Sequence, residues 1–197
     1  IFSTIGLSQQ IYFNNRYDFF NSWEGALSVL ETDSGYIIAG VADSALLHLD
    51  IAIMYIDKIG NLKWKKNYGK PGYAYYAGAG GSFIPTTDAG YALAGGIVDS
   101  SGKYSSLLLK FDNNGDTLWS KNYGNTTSFQ TSYQCKQTTD GGYILIGVKD
   151  IGNNDNILLI KTDSIGNIQW QQIYGGGGTE YAFSVGITTD GGYILGG

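Results

Sequence analysis

"DNNGDTLWSKNYG", residues 112–124, decides the fold. Taken singly it resembles a calcium loop, with acidic and amide side chains around Gly115 and Trp119 close behind. It is not single. "DKIGNLKWKKNYG" (57–69) and "DSIGNIQWQQIYG" (163–175) are the same unit, and their tryptophans, Trp64, Trp119 and Trp170, stand 55 and 51 residues apart. A calcium site needs several oxygen ligands at fixed positions. Where this copy has Asn113 and Asn114, the first has Lys58 and Ile59 and the third has Ser164 and Ile165. What persists is a leading aspartate and a glycine (Gly60, Gly115, Gly166). That pattern predicts a short hairpin turn, with the carboxylate accepting backbone N–H bonds and the glycine at positive φ. No metal site is expected.

A second unit alternates with the first: "TDSGYIIAG" at 32, "TDAGYALAG" at 87, "TDGGYILIG" at 139 and "TDGGYILGG" at 189. Its aspartates, Asp33, Asp88, Asp140 and Asp190, are spaced by 55, 52 and 50 residues. The next position varies (Ser34, Ala89, Gly141, Gly191), and the one after is always glycine (Gly35, Gly90, Gly142, Gly192). The invariant glycine is therefore expected to carry a left-handed backbone. A degenerate first copy of the tryptophan unit precedes them in "YFNNRYDFF" (12–20), where Phe13 takes the tryptophan's place and Tyr17 matches Tyr174.

Each repeat reads as four strands. One leads into the TDxG turn, as in "ALSVLE", and one follows it, as in "YILIGV". The third is "IAIMYI", "SLLLKF" or "ILLIKT", and the fourth carries the tryptophan. The second and third are nearly continuous apolar runs, the mark of strands covered on both faces. The fourth alternates, with Trp64 and Tyr68 on one face and Lys63 and Lys65 on the other, which suits a charged edge strand. Four-stranded antiparallel sheets about 50 residues apart describe an all-β β-propeller, with a linear β-solenoid as the alternative. Blade units fall at about 10–64, 65–119 and 120–170, with a partial one at 171–197, so the propeller is expected to be incomplete, and Tyr12–Tyr17 would serve as an outer closing strand. "IFSTIGLSQQ" fits the end of a secretory signal over residues 1–9 as well as it fits ordinary chain.

Composition narrows the function. A net charge of −5 and a pI near 4.6 exclude the basic footprint that nucleic acid requires. No apolar run approaches the roughly 20 residues of a membrane helix. The single Cys135 can form no internal disulfide and reads as a small buried strand residue.

The DxxGxxxW arrangement at Asp57–Trp64, Asp112–Trp119 and Asp163–Trp170 is similar to the tryptophan-docking motif of quinoprotein-like propellers. The alternation of TDGGYILxG with DxxGNxxW resembles repeats of secreted bacterial proteins, notably large Bacteroidota surface proteins with a C-terminal type IX sorting domain. The resemblance covers about residues 10–197. It implies export, a cell-surface or extracellular location and the propeller fold, and implies little about activity. No sorting domain is visible in the sequence.

Chemistry is sparse. A Ser-His-Asp site would have to use His48, the sole histidine. "YGGGGTEY" and "AGAGG" lack the helix and lysine of a phosphate loop. A propeller alone does not supply the pocket of a bound quinone, so no cofactor is expected. In a meander the first–second and third–fourth turns share one edge, and the other edge collects the connections that vary between copies. The varied edge is rich in aromatic, Asp and Asn residues, and variable loops on a rigid frame are where binding resides. The candidate ligand-binding residues are Trp23, Tyr73, Tyr75, Tyr76, Phe129, Tyr133, Tyr181, Asp43, Asp99, Asp150 and Asn154. The expected function is a non-catalytic binding or scaffold module for a surface glycan or another protein, including self-association. A polysaccharide-directed enzyme on the same ring, using an acid pair, is the alternative.

Overall fold

A computed structural model describes residues 15–21, 23–45, 48–78 and 80–197; the leader expected at 1–9, and Tyr12 and Phe13 of the degenerate copy, lie outside them. The described residues contain strands and turns and no helix. The first sheet is β1 (Glu24–Glu31), β2 (Gly35–Ala45), β3 (His48–Asp57) and β4 (Leu62–Tyr68), in that order. In the second, β5 (Ala74–Ala77) and β6 (Phe83–Pro85) both pair with β7 (Tyr91–Val98), followed by β8 (Tyr104–Phe111) and β9 (Thr117–Thr126). The third is β10 (Gln130–Gln137), β11 (Tyr143–Ile151), β12 (Asn154–Thr162) and β13 (Ile168–Tyr174). A fourth sheet has β14 (Ser184–Ile187) and β15 (Tyr193–Gly196). Every pairing is antiparallel. The described residues do not close into a ring.

The sheets stack face to face, and the continuous apolar strands explain how. In β7, Leu93 faces the first sheet's Ile37, Ala39, Ile51 and Ile53, while Ala92 and Ala94 face the third sheet's Leu145, Leu158 and Ile160. In β11 the same alternation sends Leu145 backward and Ile144 and Ile146 forward, onto Ala182 and Val185. Both faces of each middle strand are thus buried, and each such Leu or Ile contributes about 1.5–3 kcal/mol relative to exposure.

The indoles lock neighbouring sheets. Trp64 lies over Gly115 in the second sheet's last turn, so a Cβ there would stand 2.7 Å from the ring; Trp119 covers Gly166 equally closely, at 2.9 Å. Trp170 packs on Tyr193 of the fourth sheet, ring centroids 5.8 Å apart. Alongside, the Tyr68 hydroxyl donates to the Gly115 carbonyl, and Tyr123 donates to that of Gly166 at 2.9 Å. Tyr17 of the degenerate copy does the same to Gly60, at 2.6 Å.

The turn that follows Asp112 is built as expected. Asp112 Oδ1 accepts the N–H groups of Asn114 and Asp116 at 2.9 and 2.8 Å, and Gly115 has φ 78°. Asp57 and Asp163 repeat the bonds.

The TDxG turn differs from expectation. The left-handed residue is the variable one: Ala89 (φ 63°), Gly141 (79°) and Gly191 (83°). The invariant glycines, including Gly192, do not have positive φ. In the first three copies the glycine is required because strand three passes too close for a side chain. A Cβ on Gly35, Gly90 or Gly142 would lie 1.9, 2.3 or 2.1 Å from the carbonyl oxygen of Ile56, Phe111 or Thr162. The pattern was legible, but close approach and not φ is its cause.

Candidate functional site

Two edges result, and they differ in kind. On the turn edge the same buried lysine recurs: Lys110 Nζ reaches Asp88 at 2.9 Å and Lys161 Nζ reaches Asp140 at 2.8 Å. Both also donate to a backbone carbonyl, of Phe111 and Thr162. The Thr86 hydroxyl, then Lys110, holds Asp88 down to about 2, and Lys161, then Thr138, holds Asp140 well below the usual carboxylate range. Such groups support the turns and present no free chemistry.

The opposite edge carries the connections 69–73, 127–129 and 175–183 and the loops after β2, β7 and β11. Three candidates meet there. Tyr76, Phe129 and Tyr133 line one hollow of about 410 Å³ between the second and third sheets, with Tyr104, Gln130 and Thr131. Tyr104 and Phe129 meet edge to face at 5.5 Å. Tyr133 is there because of a bulge. The β10–β11 register slips between Ser132 and Gln134, which leaves Tyr133 unpaired and re-aimed. The first sheet slips at the same place, between Ala26 and Ser28. In the second sheet the interruption is longer. Gly78 donates to the Ala94 carbonyl and Ala94 donates to that of Ser82, so "AGAGG" is a detour within one strand.

From Tyr133 the aromatic surface continues to Phe183 (5.0 Å) and on to Tyr181, which stacks on Phe183 at 5.9 Å and donates its hydroxyl to Asp155. Tyr73 and Asp99 line a second hollow of about 240 Å³ with Lys103, Ser105, Asn122 and Gly124. Asp99 caps its own turn through Ser101 and Lys103, and the Ser101 hydroxyl bond leads in lowering its pKa.

The remaining candidates lie elsewhere. Trp23, 60% exposed, stands at the start of β1, its carbonyl accepting from the Asp43 N–H; Phe129 and Asp150 repeat that bond in the third sheet. Asp43 and Asp150 each bury one carboxylate oxygen with no hydrogen-bond partner among the described residues. Tyr75 packs on the core between the first two sheets, and burial raises its phenol pKa. Asn154 opens β12 and offers its carbonyl to the Asn156 amide. Tyr104, Gln130 and Thr131 stand at the starts of β8 and β10, beyond the loops in which the sequence places its candidates. An aromatic at the start of strand three was the only available signal.

His48 does share a hollow of about 340 Å³ with Ser44 and Asp50. The Ser44 hydroxyl, however, donates to the carbonyl of His48 itself, and Asp50 accepts from Asn67 at 2.9 Å. That is not a nucleophile–base relay. Cys135 is fully buried, its thiol pushed up to about 12 by desolvation, and it donates to the Ser82 carbonyl. It is a core residue. No protein-family model matches this chain, and no curated protein matches it.

Proposed function

We propose that the chain is a secreted or cell-surface binding module of β-propeller type, recognising a glycan or a protein through its varied loop edge. The observation that carries this reading is the convergence of Tyr76, Phe129 and Tyr133 on one apolar hollow at that edge. Exposed rings in a concave, rigidly framed site are what both glycan and protein recognition use. Support for the radial arrangement comes from Tyr17. It engages the Gly60 carbonyl just as Tyr68 and Tyr123 engage Gly115 and Gly166, the bond that the last strand of a preceding sheet would supply.

The experiment is binding to a glycan array and to surface extracts, with Phe129→Ala and Tyr76→Ala beside the native chain. Loss of binding in both, with unchanged thermal stability, supports the reading; binding indifferent to these and to every other loop-edge substitution sinks it. A second reading, structural self-association, is favoured by the hollow of about 240 Å³ on the outer face of the first sheet, between Ile38, Ala52, Met54 and Phe19. Light scattering across a concentration series tests it. Stable oligomers that dissociate on Met54→Lys would favour assembly over recognition.

A further inference from the structure

The asparagine of the N-Y-G ending takes no part in locking one sheet to the next. Tyr68 and Tyr123 serve the next sheet's turn, while Asn67 and Asn122 alternate to the other side of their strands and are exposed. Each lines a hollow on the loop edge, and the two hollows occupy the same place in successive sheets. Asn67 stands opposite Ala52 and Asn122 opposite Leu107. Each is followed two residues on by a glycine, Gly69 or Gly124, and accompanied by a buried polar residue of strand three, Asp50 or Ser105, only 6% and 7% exposed.

The hollows adjoin. Lys70 borders the first and Tyr73 the second, and the Lys70 ammonium sits 4.7 Å above the Tyr73 ring.

Their chemistry is matched and balanced. Each is lined by one carboxylate and one lysine, Asp50 and Lys70 in the first and Asp99 and Lys103 in the second, which favours neither an anion nor a cation. Each adds an asparagine amide that both donates and accepts. Asn67 spends one side-chain N–H on Asp50, leaving its side-chain carbonyl open, and the Asn122 side-chain amide makes no hydrogen bond among the described residues. His48 Nδ1 is buried without a partner beside them. An unmet buried polar atom is costly, and a ligand hydroxyl, at once donor and acceptor, would satisfy it.

We propose that the two hollows form one two-lobed site for a neutral oligosaccharide, a sugar ring in each lobe and Tyr73 between them. This rests on the reading that the loop edge binds. The test is calorimetric titration of the chain with neutral linear hexasaccharides (cello-, laminari-, malto-, xylo- and mannohexaose) and with the matching monosaccharides. The expected result is saturable binding of at least one hexasaccharide, at least about tenfold tighter than its monosaccharide. Asn67→Ala and Asn122→Ala each weaken it about tenfold, as for one or two hydrogen bonds. The exposed Lys70→Ala supplies a further weakened variant that leaves the fold intact, and circular dichroism melts check all three. Binding that survives Asn67→Ala and Asn122→Ala but disappears in Phe129→Ala overturns this assignment and leaves the loop-edge reading standing. Binding indifferent to all of these overturns both. Failure of every hexasaccharide to bind overturns the carbohydrate assignment.

Discussion

The turn edge and the loop edge are made by the same strands, yet one repeats its bonds and the other repeats almost none. On the turn edge each residue answers to a neighbour: aspartate to backbone amides, glycine to an indole or a passing carbonyl, tyrosine to the next sheet's turn. On the loop edge "YGKPGYAY", "YGNTTSFQ" and "YGGGGTEY" fill equivalent places with unlike residues. On the turn edge, uniformity therefore marks residues whose job is stacking, and on the loop edge variety marks positions that stacking leaves free.

Substitutions can break that contrast. Trp119→Ala should be the most damaging, removing an indole from between the second and third sheets at about 3–5 kcal/mol, read from chemical denaturation; a loss below 1 kcal/mol would mean that the indoles do not lock the stack. Gly142→Ala comes next, at about 1–3 kcal/mol, because a Cβ meets the Thr162 carbonyl. Gly141→Ala, strained only by its φ of 79°, should cost about 1 kcal/mol. The reverse order would mean that close approach of strand three does not explain the invariant glycine. Tyr123→Phe, which loses one hydrogen bond to Gly166 and little else, should cost about 1 kcal/mol.

Acid probes the same edge. Asp88 and Asp140 have folded values below the unfolded 3.8, so their contribution is present above that pH and is lost as pH falls through the folded values, about 2 for Asp88 and lower still for Asp140. The carboxylates are more than half exposed, so solvent screens the effect, and Asp88→Asn should flatten the acid limb of stability only modestly. An unchanged acid limb in the Asp88→Asn, Asp140→Asn double variant would assign it to other carboxylates. Smallest of all, Phe129→Ala on the loop edge should move stability by about 0.5 kcal/mol or less, since surface substitutions rarely do more. A large loss there would make Phe129 part of the core and erase the difference between the edges.

Much of the frame is legible in the sequence alone. Three tryptophans at near-equal spacing and apolar runs too continuous for a one-sided sheet already specified four-stranded sheets covered on both faces. The split of the second sheet's first strand was not legible, because a glycine-rich detour between paired halves looks the same as a loop in one dimension. The site was legible as an edge and not as a set. Tyr73, Tyr75 and Tyr76 are near neighbours in sequence, yet one lines the polar hollow, one packs in the core and one lines the aromatic hollow.

By itself, then, the sequence determined the local periodicity: which residues turn, which strands are buried and which edge is free to vary. These depend on side-chain spacing along the strand and on turn chemistry, both properties of a few consecutive residues. Only the tertiary structure decided what lies opposite what. Trp64 over Gly115, Phe129 beside Tyr104 and the asparagine hollows at 67 and 122 all depend on how one sheet seats against the next, and on bulges that re-aim a residue by a single slip of register.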